Sequence, residues 1–148
     1  MSEQKVQNDT NLELNVERII KASKETLYNA WLNPELFAKF MTPGEGMKNS
    51  DSKIDATFGG KFSLNMIAGD DVMLHHGEYF KLKPFDLIQF SWNSPFSEEG
   101  STVTISLTQV DAGTKLKLNH VKFISEESRD NHNSGWMYIL KMLETTVT

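Results

Sequence analysis

Apolar and polar residues alternate along most of this chain and then, near its end, change period. Leu12, Leu14 and Val16 alternate with Glu13, Asn15 and Glu17, which predicts a strand over residues 12–20. Ser23 is a favourable helix N-cap, and Leu27 and Trp31 lie one turn apart on the helix that follows. Asn33 and Pro34 end that helix and start a second, with Asn as cap and Pro at the first helical position. Leu36, Phe37 and Phe40 give the second helix its apolar side, and the Thr-Pro-Gly-Glu-Gly run over residues 42–46 breaks the chain.

From residue 48 to 121 the pattern is strand and turn. Phe62, Leu64 and Met66 alternate with Lys61, Ser63 and Asn65, and Gly69, Asp70 and Asp71 make a hairpin turn into a longer strand over residues 72–82. A strand from Leu87 to Trp92 follows, then a loop over 94–100 rich in Pro, Ser, Glu and Gly. Val103, Ile105 and Leu107 share one face of the next strand. After a turn at Asp111, Ala112 and Gly113, Leu116, Leu118 and His120 share one face of the last. Strands joined by tight turns form an antiparallel meander, and alternation leaves it one buried face.

Beyond His120 and Phe123 the period becomes about 3.6. His132, Gly135, Trp136, Ile139, Leu140, Leu143 and Val147 then fall on one helical face. Glycine within a helix costs roughly 1 kcal/mol against alanine, so Gly135 marks a close approach to another surface. The expected architecture is α+β: a sheet curling around a long C-terminal helix, an arrangement that commonly leaves a cavity between the two, with two short helices after the first strand.

Composition narrows the function classes. The chain has 148 residues and a net charge of -5, without a Lys/Arg cluster, which argues against nucleic-acid binding. Cysteine is absent, which removes disulfides, thiolate metal sites and cysteine catalysis together. No apolar run approaches the ~20 residues of a membrane span. Residues 1–11 are polar without a signal-peptide core and read as a flexible tail on a cytoplasmic protein; residues 12–148 read as one domain.

The order of these segments resembles the helix-grip fold of the START/SRPBCC superfamily, in the branch related to the C-terminal domain of the activator of heat shock protein 90 ATPase. The resemblance rests first on Asp55 with Phe58, Gly59, Gly60, Lys61 and Phe62, and on His76, Gly77, Glu78 and Tyr79 with Pro84 and Phe90. Further along, residues 101–105 and 113–118 carry it with His120 and Phe123, as do His132, Gly135, Trp136 and Leu140. One departure is the segment over residues 39–44, Lys-Phe-Met-Thr-Pro-Gly, where the family often carries tryptophans before Pro-Gly. The resemblance implies the fold and a cavity between sheet and last helix. It does not imply one reaction, because the superfamily spans binding proteins, lipid carriers, co-chaperone domains and a few cyclases.

The chemistry-bearing residues are few. His75 and His76 are adjacent in a strand and point to opposite faces, and no third ligand converges on either, so no metal or other cofactor is expected. His120 either meets a ligand or transfers protons in the cavity, or is a core histidine bonded to a backbone carbonyl. Arg18 has the parity of Leu14 and Val16; it either holds a ligand carboxylate, forms a structural ion pair, or is turned outward by a bulge. Arg129 and His132, near the start of the last helix, either gate the cavity mouth or form a solvated turn. Ser101 has no general base beside it in the sequence. Trp31, Phe62, Leu64, Met66, Phe90, Trp92, Val103, Ile105, Trp136 and Leu140 read either as a solid core or as the lining of a pocket; the resemblance implies the lining, with His120 or Arg18 orienting a polar end. The leading expectation is therefore non-enzymatic binding of a hydrophobic or amphipathic small molecule. The alternatives are a co-chaperone-like surface that docks on a chaperone, and a cyclase- or hydrolase-type enzyme using His120.

Overall fold

The computed structural model describes residues 12–46, 48–49 and 52–148; the expected tail over residues 1–11 lies outside the described residues. The chain begins with β1 (Glu13–Ile20), followed by α1 (Lys24–Leu32) and α2 (Pro34–Phe40). Two short strands, β2 (Lys48–Asn49) and β3 (Lys53–Ile54), lead into β4 (Lys61–Ala68) and β5 (Asp71–Lys83). The meander continues through β6 (Leu87–Ser91), β7 (Thr102–Val110) and β8 (Gly113–Val121) into α3 (Glu126–Val147).

Local chemistry places the helix ends. Ser23 accepts from the Thr26 amide at the start of α1, Asn33 from the Leu36 amide at the start of α2, and Ser125 from the Ser128 amide at the start of α3. The eight strands form an antiparallel sheet in the order β1-β8-β7-β6-β5-β4-β2, with β3 also paired to β4. The first strand thus closes the sheet beside the last, pairing Leu14 with His120 and Val16 with Leu118. The sheet curves around α3. A bulge at Phe80 in β5 shifts the register against β6, which increases local twist.

The buried face follows the alternation. Phe62, Leu64, Met66, Tyr79, Ile88, Phe90, Val103, Ile105, Leu107, Leu116 and Leu118 all point inward and are buried. From α3 they meet Trp136, Ile139, Leu140 and Leu143. The α1–α2 pair closes one side with Leu27, Trp31, Phe37 and Phe40; Trp31 lies edge-on to Phe40 at 4.9 Å between ring centroids.

Two glycines fix close approaches. A Cβ at Gly77 in β5 would sit 1.9 Å from the Ser91 carbonyl oxygen and 2.5 Å from Phe62 Cε2. Gly135 approaches a different surface from the one its pattern suggested. Its Cβ would face Pro43 Cβ at 3.3 Å, so this turn of α3 opposes the loop after α2 rather than the sheet.

Candidate functional site

A cavity of about 220 Å³ lies at the N-terminal half of α3. The helix supplies Asn131, His132, Gly135, Trp136 and Ile139, one face read at helical spacing. The β4–β5 hairpin supplies Met66, Met73 and His75, which share the inward parity of their strands. Pro43 comes from the loop after α2, and Trp92 and Phe96 from the segment after β6. That segment is pinned: His76 and Asn93 exchange two backbone hydrogen bonds of 2.9 Å, and the Trp92 amide donates to the Ser101 carbonyl at 2.8 Å. Trp92 is thereby held against His75 at 5.1 Å and Trp136 at 5.0 Å between ring centroids. Phe96 is 56% exposed and Asn131 is also exposed, so the cavity opens beside them. Toward the other end of α3, Leu140 and Leu143 are buried in the core.

Behind this wall lies a buried polar chain. Trp136 Nε1–H donates to His120 Nδ1 at 3.0 Å, and His120 Nε2 lies 2.6 Å from Ser101 Oγ. An indole N–H can only donate, so His120 Nδ1 is the lone-pair nitrogen and Nε2–H donates to the serine oxygen. Burial, with a smaller contribution from His132, pushes the His120 pKa down to about 3. Protonation would also place a second N–H against the indole donor. His120 is therefore a neutral imidazole with both nitrogens engaged, and its only lone pair is unavailable for taking a proton from Ser101.

Two further imidazoles line the cavity itself. His75 Nδ1 donates to the Met73 carbonyl at 3.0 Å, and His132 Nδ1 to the Ser128 carbonyl at 2.8 Å. Burial lowers both pKa values, more than their carbonyl bonds raise them. Among the described residues no three His, Asp or Glu side chains gather as a metal site, and none of those lining the cavity is charged.

The family model described as activator of Hsp90 ATPase homolog 1-like protein matches residues 21–148. The chain belongs to that family. Among solved structures, a protein of Chromobacterium violaceum superposes with a TM-score of 0.81 at 24% identity, covering 91% of this chain and 96% of that one. An AHSA1-like protein of Aeromonas hydrophila gives 0.78 at 20% identity, covering 92% of each chain. A Staphylococcus aureus protein described as of unknown function gives 0.79 at 18% identity, covering 93% of each. These similarities show the shared fold. No significant match is found among curated proteins.

In this member of the activator-of-Hsp90-ATPase-homolog-1-like family, the expected lining residues divide. Met66, Trp92 and Trp136 line the cavity. Trp31, Phe62, Leu64, Phe90, Val103, Ile105 and Leu140 are buried in the close-packed core and stand outside its wall. They share the inward face with the lining, but α1, α2 and the second half of α3 fill the space over them. His120 also stands behind the wall as a core histidine, bonded to two side chains rather than to a ligand or a backbone carbonyl. Arg18 keeps its inward parity without a bulge and meets Glu144, Nη2 to Oε1 at 2.7 Å, toward the far end of α3. Arg129 pairs with Asp130 at 3.1 Å on the surface, whereas His132 lines the cavity. Pro43, Met73, His75, Phe96, Asn131 and Ile139 were not among the expected lining. The parity of Met73 and His75 with Gly77 and Tyr79 was the available signal for two of them. The position of Pro43 and Phe96 depends on loop packing, which no period encodes.

Proposed function

We propose that this protein binds a small hydrophobic or amphipathic molecule in the cavity between the sheet and the N-terminal half of α3, and releases it unchanged. The observation that supports this reading best is the cavity itself: an apolar, aromatic- and methionine-rich space of about 220 Å³ with a few fixed polar groups. Methionines suit such a wall, because their unbranched thioethers adapt to ligands of differing outline. Burying about 200 Å² of apolar surface at ~25 cal/mol/Å² is worth about 5 kcal/mol, which corresponds to a Kd of roughly 0.1–1 mM for a molecule filling only this space. A ligand that also covers Phe96 gains more. The family's fold is one that binds ligands or engages partners, and the cavity favours the first of these for this chain.

The His120 arrangement supports binding over catalysis. A general base needs a free lone pair within reach of the reacting proton. His120 commits its lone pair to Trp136 and points its proton at Ser101, the reverse of what an activated serine requires.

The test is a titration with 2-methoxynaphthalene, followed through the indole N–H resonances of Trp92 and Trp136. Wild type should shift both saturably, and Gly135→Leu, which places a side chain in the cavity, should lose at least tenfold in affinity while remaining folded. Saturable binding that Gly135→Leu leaves unchanged would place the ligand elsewhere.

A further inference from the structure

The cavity's polar groups have a definite sense. Because a carbonyl oxygen only accepts, the bonds from His75 and His132 to Met73 O and Ser128 O put the proton of each ring on Nδ1. Each neutral ring keeps its lone pair on Nε2. Neither Nε2 has a partner among the described residues, in contrast to His120, whose two nitrogens are both taken. The amide of Asn131 and two indole N–H groups are the other polar groups of the described wall; that of Trp136 is taken by His120, and that of Trp92 is buried without a partner among the described residues, closed off from the cavity space. The remainder is aromatic, thioether or aliphatic, and none of it is charged. Both arginines considered for the cavity are paired with carboxylates, Arg18 with Glu144 and Arg129 with Asp130.

We infer that the cavity selects an uncharged ligand carrying a hydrogen-bond donor, a hydroxyl or N–H on an apolar body, and rejects carboxylates and ammonium ions of the same shape. This rests on the binding reading above and supplies its polarity. A donor on the ligand meets an imidazole lone pair at His75 or His132. A carboxylate would instead set its own lone pairs against those of the rings, with no cation in the wall to hold it. Burial disfavours the charged forms of both rings, which works against their becoming cations to receive it. An ammonium ion would be desolvated with no carboxylate to receive it. Size follows by comparison: an apolar cavity of about 150 Å³ holds benzene, so this one suits a body of roughly ten non-hydrogen atoms, such as two fused rings.

Four probes of one shape separate the terms: 2-naphthol, 2-methoxynaphthalene, 2-naphthoate and 2-naphthylmethylammonium, each titrated at neutral pH against the Trp92 and Trp136 indole resonances. The methoxy compound keeps the oxygen and loses only the donor. 2-Naphthol should bind about three- to tenfold more tightly than the methoxy compound, as one neutral hydrogen bond provides. The two ions should bind at least tenfold more weakly than 2-naphthol. His132→Phe and His75→Phe should each reduce the ratio of naphthol to methoxy affinity; if either fails to fold, the wild-type comparison still decides. Equal affinities for naphthol and its methyl ether would overturn the inference while leaving the binding reading intact. Tightest binding by either ion would overturn it as well. No saturable shift with any of the four would overturn both.

Discussion

Below pH 6.5 an unfolded chain takes up a proton at each histidine that the folded protein resists at His120. The folded pKa is lowered to about 3, so between these values the unfolded state binds more protons and stability rises with pH. The contribution is complete above 6.5 and is lost as pH falls toward 3, at roughly 1.4 kcal/mol per unit. His75 and His132 are shifted in the same direction and add to the slope. Urea unfolding at pH 7 and pH 5 should therefore show a loss of about 2 kcal/mol from His120. His120→Gln should flatten that loss, because a glutamine amide can accept from Trp136 and donate to Ser101 without titrating. An unchanged acid limb in the variant would contradict the bonding assigned to His120. The pairing with Ser101 was legible in principle. The turn at Asp111–Gly113 fixes the register that sets Val103 opposite His120, and Ser101 shares the face of Val103. The tryptophan partner was not legible, because it depends on where a helix lies on the sheet. Arg18 illustrates the same limit. Parity pointed it inward, but only tertiary packing brought Glu144 to it. Arg18→Gln should change stability by no more than about 1 kcal/mol, as half-exposed pairs do, and leave ligand affinity unaltered.

At the scale of elements, the helices and the meander were written in local signals. Ser23, Asn33 and the β4–β8 alternation fell where the caps and strands are. The short β2 and β3 pairings had no pattern long enough to announce them. The close approach of β5 to the end of β6, its antiparallel neighbour, depends on one absent side chain. Gly77→Ala would put a methyl 1.9 Å from a backbone oxygen, and should cost at least about 1–3 kcal/mol in urea unfolding. An unchanged midpoint would mean that the two strands are not held as described. The last helix buries four large side chains. Trp136, Ile139, Leu140 and Leu143 are all buried against the sheet and the α1–α2 pair. Removing residues 132–148 exposes their partners at ~1.5–3 kcal/mol each, against a typical total of ~5–15 kcal/mol, and should abolish cooperative thermal unfolding. A single sharp transition in the truncated chain would contradict the packing of this helix on the sheet.

At the scale of the molecule, one inward face does two jobs, and hydrophobicity alone does not tell them apart. Phe62, Phe90 and Ile105 fill the core; Met66, Trp92 and Trp136, with the same parity or helical face, border the cavity. The division comes from a helix that packs tightly at Leu140 and Leu143 but carries Gly135 opposite Pro43. Among the described residues no helix is long and apolar enough to cross a membrane. Exposed apolar side chains do exist on the outside, Phe58 at 81% and Val72 at 62% exposure, and offer an apolar ligand a competing place to rest. The direct test is where a bound molecule sits. In a complex of methyl-labelled protein with 2-naphthol, isotope-filtered NOE spectra should connect ligand protons to the methyl groups of Met66, Met73 and Ile139, which share the cavity wall. Saturable binding whose NOEs run instead to Val72 or the ring of Phe58, with none to those three, would contradict a ligand cavity beneath the last helix.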